Sequence, residues 1–362
     1  MELWIFTPYD HVQCGALDEY EELNITHKAV KEGEIHFVSP LTDISKSIVT
    51  DSLIWPKGDV TAYLVTTCQK QKNNQGKEIV IVNGSCLKCV LNMRTCKKTN
   101  VYTGKTGYVM RKMLDDVFAE EKRKFPRFTY SIDATIGEDI SIETGNESLL
   151  ELFEDLSEAS GLTMKIMFNP KTRAMVLKVE KGLDRTIGNG TNGVVQFDDT
   201  QETIANVEYT ESIRDEKNVM YIEDGEGVVL EVGTTTGSGF RRREDGMKAT
   251  SSKTVQNDDG TTTELTSEQY AANKRTEARK ELEKKKKTKS IEGETEIENA
   301  LLVYGRDYTL GDIVTAKKTT WGIGIDVRVT EETEKHKNGN ITRKLTLGSP
   351  LPTLAERIKK RR

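Results

Sequence analysis

Cys86 and Cys89 form a CxxC pair, and Cys96 follows further along. A structural zinc site takes four Cys or His ligands, usually as two such pairs. No second pair follows, and His11, His27, His36 and His336 are scattered. With Cys14 and Cys68 the cysteine number is odd, which argues against a disulfide framework. The thiols read as free and partly buried, behaving as small hydrophobes. His11 lies near Cys14, but on an irregular segment, too loose a placement for a nucleophile–base pair. No histidine stands in an HExxH frame. Asp115–Asp116, Glu120–Glu121 and Asp198–Asp199 have the residue type of a glycosidase pair. Among 58 acidic residues such pairs arise by chance, so they read as solvated faces. GSGF at 237–240 leads into Arg241, Arg242 and Arg243, but lacks the Gly-Lys-Ser/Thr ending of a phosphate loop. Trp4, Trp55 and Trp321 read as packing residues rather than a sugar platform. No catalytic, cofactor-binding or metal-binding residue is assigned from the sequence.

The 362 residues suffice for two or three domains. Hydrophobic residues make up 35% and charged residues 31%, which favours several small cores over one large one. A net charge of −5 gives no nucleic-acid footprint. The basic end at Arg357, Lys359, Lys360, Arg361 and Arg362 reads as a solvated terminus. No apolar run reaches the ~18 residues of a membrane span. The first residues lack a basic stretch before an apolar core, so the chain is expected to be made in the cytosol rather than secreted.

Residues 1–105 read as strands that form a first β domain, joined by 195–232. In 61–70, Ala62 and Leu64 fall on one face and Tyr63 and Val65 on the other. NNQG at 73–76 supplies a hairpin turn into 77–91, and Asn83–Gly84 is expected to make another turn. Residues 106–194 read as an α/β accessory layer. Val109, Met110, Met113, Leu114 and Val117 recur at helical spacing. A second helix spans 146–161, capped by Asn146 and stopped by Gly161, and a hairpin turns at Asn169–Pro170. Residues 233–298 form a loop and helical insertion. Its helix is expected over 266–294, starting with a Thr266/Gln269 capping box. With only Tyr270, Ala271, Ala278 and Leu282 on its apolar face, it is expected on a surface or against another subunit. The insertion at 240–290 is therefore expected to face a partner. Residues 299–350 make a terminal β domain with a turn at Asn338–Gly339, and 351–362 the basic tail. Tyr308, Leu310, Ile313 and Val314 are its apolar anchors, and Gly311–Asp312 tightens the start of a strand. The expected fold class is mainly β with an α+β insertion.

VNGSCLKCVLNMRT (82–95) with TGYVMRKML (106–114), SIRDEKNVMYIED (212–224), and YGRDYTLGDIVT (304–315) through LGSPLPTLAERI (347–358) occur in an order that carries weight. In that order the chain resembles the hub region of tail-associated proteins from siphoviruses and prophages of Gram-positive hosts. More distantly it is similar to the hub of contractile tails and injection devices. The resemblance implies two β-barrel-like domains per subunit and a homotrimer whose six domains mimic a sixfold ring. Such a ring docks on the tail tube or distal tail ring protein and meets a tape measure or tip protein. It implies a structural, non-enzymatic virion component at the tail tip, assembled in the host cytoplasm. Matching threefold to sixfold requires two quasi-equivalent surfaces per subunit. Many relatives carry a lytic or receptor-directed domain beyond the hub. This chain stops at Arg362, just after the hub pattern, which puts lytic activity in doubt. The alternatives are a tail-associated cell-wall hydrolase and a receptor-binding module.

Overall fold

The computed structural model describes residues 1–97, 100–233, 238–250, 253–256, 262–295, 301–337 and 339–348. The basic tail, the end of the LGSPLPTLAERI stretch, Asn338 and Gly237 lie outside the described residues. The chain is mainly β, with an α+β layer and few helices.

The N-terminal strands are β1 (Leu3–Phe6), β2 (Gln13–Leu17), β3 (Glu22–Lys28), β4 (Glu34–Pro40), β5 (Leu53–Pro56), β6 (Tyr63–Lys72) and β7 (Glu78–Cys86), with a short α1 (Asp43–Lys46). They run in the order β3-β4-β7-β6-β5-β1-β2. Leu3, Ile5, Leu17, Leu23, Ile35, Phe37, Ile54, Tyr63 and Val82 from these strands meet in one buried cluster, so the sheet wraps around its own core. Among the described residues no ladder joins β2 to β3, so the wrap is open rather than a closed barrel. The two faces of β6 divide as their alternation requires. Tyr63 and Val65 enter this core, while Ala62 and Leu64 join a second one. Asn83–Gly84 is not a turn, because both residues lie inside β7. Gly84 sits beside a register shift at Val65/Thr67, where a Cβ would meet the Leu64 carbonyl oxygen at 2.8 Å. The signal was a close backbone approach, not a reversal.

The second core belongs to the α+β layer. It holds α2 (Thr106–Val117), α3 (Leu149–Ser160), the pair β8 (Asn100–Lys105) and β10 (Asp139–Thr144), and a sheet of β9 (Phe128–Ile132), β11 (Leu162–Asn169) and β12 (Ala174–Lys181). β8 was expected in the first β domain, but it pairs with β10 in this layer, and Leu87, Val90 and Leu91 pack here too. Gly161 ends α3 at φ 63°, as expected. Its N-cap is Ser148 rather than Asn146, which instead takes φ 58°.

The third core gathers β13 (Gln196–Asp198), β14 (Ala205–Ser212), β20 (Thr288–Thr295), β21 (Ile313–Lys318), β22 (Ile323–Lys337) and β23 (Asn340–Gly348). This corrects the grouping of 195–232 with the N-terminus. β13 pairs with β21 and β14 with β20, because Val195, Phe197 and Ile204 bury against Tyr308, Val314 and Leu347. β22 pairs antiparallel with β3, from Glu331↔Lys28 to Lys337↔Glu22. The N- and C-terminal strands thereby merge into one 13-stranded sheet.

Between β14 and β20 lies a small unit. β15 (Val219–Glu223), β16 (Val229–Gly233) and β17 (Glu244–Lys248) form a sheet, β18 (Thr254–Gln256) pairs with β19 (Thr262–Glu264), and α4 (Ser267–Glu283) packs on the first. Met220, Ile222, Val232 and Ala278 make its core. The expected capping box is present at Thr266 and Gln269. The helix ends at Glu283, however, and Thr288–Thr295 is a strand of the main sheet, paired between β14 and β23. Helix propensity in the lysine run was overridden by Ile291 burying in the third core. The sparse apolar face of α4 is covered within the chain. Asn273 and Lys274 are buried, Ser141 donates to Asn273, and Lys284 reaches Asp155 at 2.8 Å.

Candidate functional site: a charged seam joining two β units

β3 and β22 meet where the first core gives way to the third. Leu23 and Ile25 of β3 belong to the first, Leu345 and Leu347 of β23 to the third. In β22, Glu332 and His336 are buried, and Glu334 shares their face. An apolar seam would fuse the two cores; instead it is charged. Arg343 of β23 contacts Glu332 at 2.6 Å and Glu334 at 2.7 Å. His27 of β3 approaches Asp59 at 3.5 Å and Glu332 at 3.9 Å, and its other ring nitrogen meets the Tyr63 hydroxyl at 3.2 Å. His336 contacts Glu334 at 2.5 Å and the Tyr20 hydroxyl at 3.4 Å. Tyr304 lies near His27, with ring centroids 6.4 Å apart, and Tyr308 closes the third-core side.

The electrostatics follow from burial. Burial pushes the Glu332 carboxyl above its ordinary range, opposed by His27 and Arg343. Asp59 is likewise raised by burial, against the pull of His27. Burial also acts on Glu334, but hydrogen bonds from His336 and Arg343 win and hold it at about 2. A histidine between two carboxylates and a tyrosine has the residue types of an acid–base array. Here every member is engaged by another at 2.5–3.9 Å, and Glu332 and Tyr63 are buried. The arrangement suits a lock between two β units.

A second junction ties the α+β layer to the third core. Asp312 is 2% exposed. It accepts from the Leu183 N–H at 2.8 Å and the Thr309 N–H at 3.0 Å, and pairs with Arg185 at 2.8 Å. A Cβ on Gly182 would lie 1.9 Å from the Gly311 carbonyl oxygen, so the two segments touch backbone to backbone. Tyr308 and Val314 are buried anchors, Leu310 is partly buried, and Ile313 points outward.

The residues singled out in the sequence do not converge. Cys86 is buried, with its sulfur accepting from the Gly33 N–H at 3.1 Å. Burial raises the Cys86 and Cys89 thiols and takes Cys96 to about 11, away from the thiolate a metal or a nucleophile needs. Cys14 faces the Ile5 carbonyl at 3.5 Å. Asp115 and Asp116 accept from Tyr130 and Tyr102, and Glu120 and Glu121 pair with lysines. Asp198 accepts from Thr200, and Asp199 pairs with Lys318 at 2.5 Å. Trp4 and Trp55 meet edge to face at 5.1 Å, while Trp321 is half exposed under Lys318. Arg242 pairs with Glu231 and Glu244, and Arg243 with Glu216. The seam itself was missed. Its signal was the run Glu331, Glu332, Glu334 and His336 in a strand otherwise suited to a core.

The fold defines the class. The chain is similar to the tail protein from Neisseria meningitidis MC58 (TM-score 0.58, 12% identity, 96% of each chain covered). It is similar to the prophage tail protein gp18 from Listeria monocytogenes EGD-e (TM-score 0.56, 14% identity, 99% of each). It is also similar to the 43 kDa tail protein of prophage MuSo2 from Shewanella oneidensis (TM-score 0.57, 12% identity, 96% of this chain and 98% of that one). It has the fold of phage tail proteins. By sequence, residues 2–349 match one family, and the chain belongs to it: the siphovirus ReqiPepy6 Gp37-like proteins. Among curated proteins none matches.

Proposed function

We propose that this chain is the structural hub subunit of a phage tail tip, that three copies surround the end of the tail tube, and that it carries no catalytic activity. The observation that carries the reading is one continuous sheet holding two separate cores, locked at β3–β22 by a charged seam. Three such chains would offer six β surfaces to a sixfold ring protein. The α+β layer, packed on the outer face of β5 and β6, would set the orientation of the first β unit. We divide the chain into an N-terminal β unit of 1–86, an α+β layer of 87–182, and a C-terminal β unit of 183–212 and 288–348. Residues 213–287 form the insertion. The partners would be the tail tube or distal tail ring protein on one side and a tape measure or tip protein on the other. The place of action would be the virion, after assembly in the host cytoplasm.

Mass measurement tests this. Analytical ultracentrifugation of the purified chain, alone and with the tail ring protein, should give a threefold species or threefold occupancy of the ring. A chain that stays monomeric at high concentration and ignores the ring protein would end the proposal.

A further inference from the structure

The turn between β1 and β2 leans on the α+β layer in an unusual way. Tyr9 and His11 take φ of 62° and 52°, and the two arginines facing them, Arg127 and Arg173, take 57° and 61°. Left-handed backbone is costly for side chains of this size, and its clustering draws attention to one spot. Arg127 and Arg173 both donate to a single neutral acceptor, the Asp10 carbonyl oxygen, at 2.9 and 3.2 Å. Neither guanidinium forms a carboxylate ion pair among the described residues. Glu2, which accepts from Trp4 at 2.9 Å, is already paired with Lys57 at 2.6 Å. His11 Nδ1 is shielded from solvent without a hydrogen-bond partner. Between these groups lies an open cleft of about 640 Å³, lined by Trp4, His11, Val12, Pro170, Lys171 and Arg173 among others. Tyr9 is 77% exposed and donates its hydroxyl to Asp51 at 3.2 Å.

Lys171 and Arg173 line the cleft and Arg127 stands near it, so three cations gather against the single carboxylate of Asp10, which also acts on His11, and net positive charge is left beside the apolar Trp4, Val12 and Pro170. A carboxylate would balance it, and the fork of arginine suits that geometry. The cleft also runs into a strand edge. Gln13 lines it and begins β2, the last strand of the main sheet, whose outer backbone groups have no ladder partner among the described residues. An extended segment laid along β2 would therefore carry its side chains into the cleft. We propose that this cleft and the β2 edge form a docking site for an extended acidic segment of a protein partner. The proposal does not depend on the trimer.

The test uses the full chain and fluorescein-labelled peptides read by anisotropy. A (Thr-Glu)3 peptide should bind in a salt-sensitive way, and a (Thr-Gln)3 peptide should not. Lys171→Glu and Arg173→Gln should each weaken binding by at least about tenfold. Lys171 stands outside the Asp10 clamp, so that variant should keep the parent melting temperature. A (Thr-Glu)3 peptide N-methylated at alternate residues should lose binding, because it cannot complete a ladder. Equal binding of the glutamine peptide, unchanged binding to Lys171→Glu, or full binding of the methylated peptide would each overturn the proposal. So would complete displacement by millimolar inorganic phosphate, which would mark the cleft as a general anion site.

Discussion

Replacing Arg343 by Met leaves Glu332 and Glu334 in the seam without their cation. Glu332 is 1% exposed, and the guanidinium lies 2.6 and 2.7 Å from the two carboxylates. Removing one partner of a buried ion pair costs about 3–5 kcal/mol, because the charge left behind has lost its water as well as its partner. The sign with pH is fixed by Glu332. Its folded carboxyl already titrates above the ordinary range. A raised carboxyl favours folding at low pH and loses that advantage as pH rises through its folded value. Without Arg343 it rises further, so the penalty should be largest near pH 8 and shrink toward pH 5 as Glu332 takes up a proton. Glu334 runs the opposite way. Held at about 2, it stabilises the fold above its ordinary value near 4.5, and that contribution is lost as pH falls toward 2. Urea unfolding followed by far-ultraviolet circular dichroism at pH 8 and pH 5 measures the difference. Adding Glu332→Gln to Arg343→Met should recover more than half of the loss at pH 8. A cost below about 1 kcal/mol at pH 8, or the same cost at both pH values, would refute the account of a coupled seam.

Glu154 of α3 is raised by burial to about 7, so its charge opposes folding above that pH; Glu154→Gln should stabilise by about 2 kcal/mol at pH 8.5 and by little at pH 4, read from the same urea curves. Gly182→Ala would drive a methyl into the Gly311 carbonyl, and should cost at least about 3 kcal/mol or prevent soluble expression. Lys274 and Asp224 form an ion pair at 2.9 Å, each 5% exposed. Lys274→Met should loosen 213–287 first, seen as faster amide exchange there while β3 and β22 stay protected.

Much of the fold was legible because local rules sufficed. The alternation of Ala62, Tyr63, Leu64 and Val65 told two apolar faces, and the structure gives each its own core. Gly161 and the Thr266/Gln269 box end and start helices where their chemistry demands. What failed was long-range. Nothing near Gln196 reveals that it pairs with Thr315, or that Thr288–Thr295 leaves a lysine-rich helix to become a strand. The polar helix α4 was misplaced for a related reason. Its cover is a polar contact set, Asn273 with Ser141 and Lys274 with Asp224, which hydrophobic periodicity does not register. The charged run Glu331, Glu332, Glu334 and His336 reads as a surface strand until β3 and β23 close on both sides of it.

β22 is a single strand from Ile323 to Lys337, with a register shift near Val329. Its first half belongs to one lobe through β21, and its second half is stitched to the other through β3. Such a strand works as a shared girder. It denies the chain an internal hinge, since swinging one lobe would require unzipping backbone hydrogen bonds along the β3 contact. Should copies of this chain encircle a conduit, any widening of the passage must come from slippage between neighbouring molecules, each moving as a stiff block.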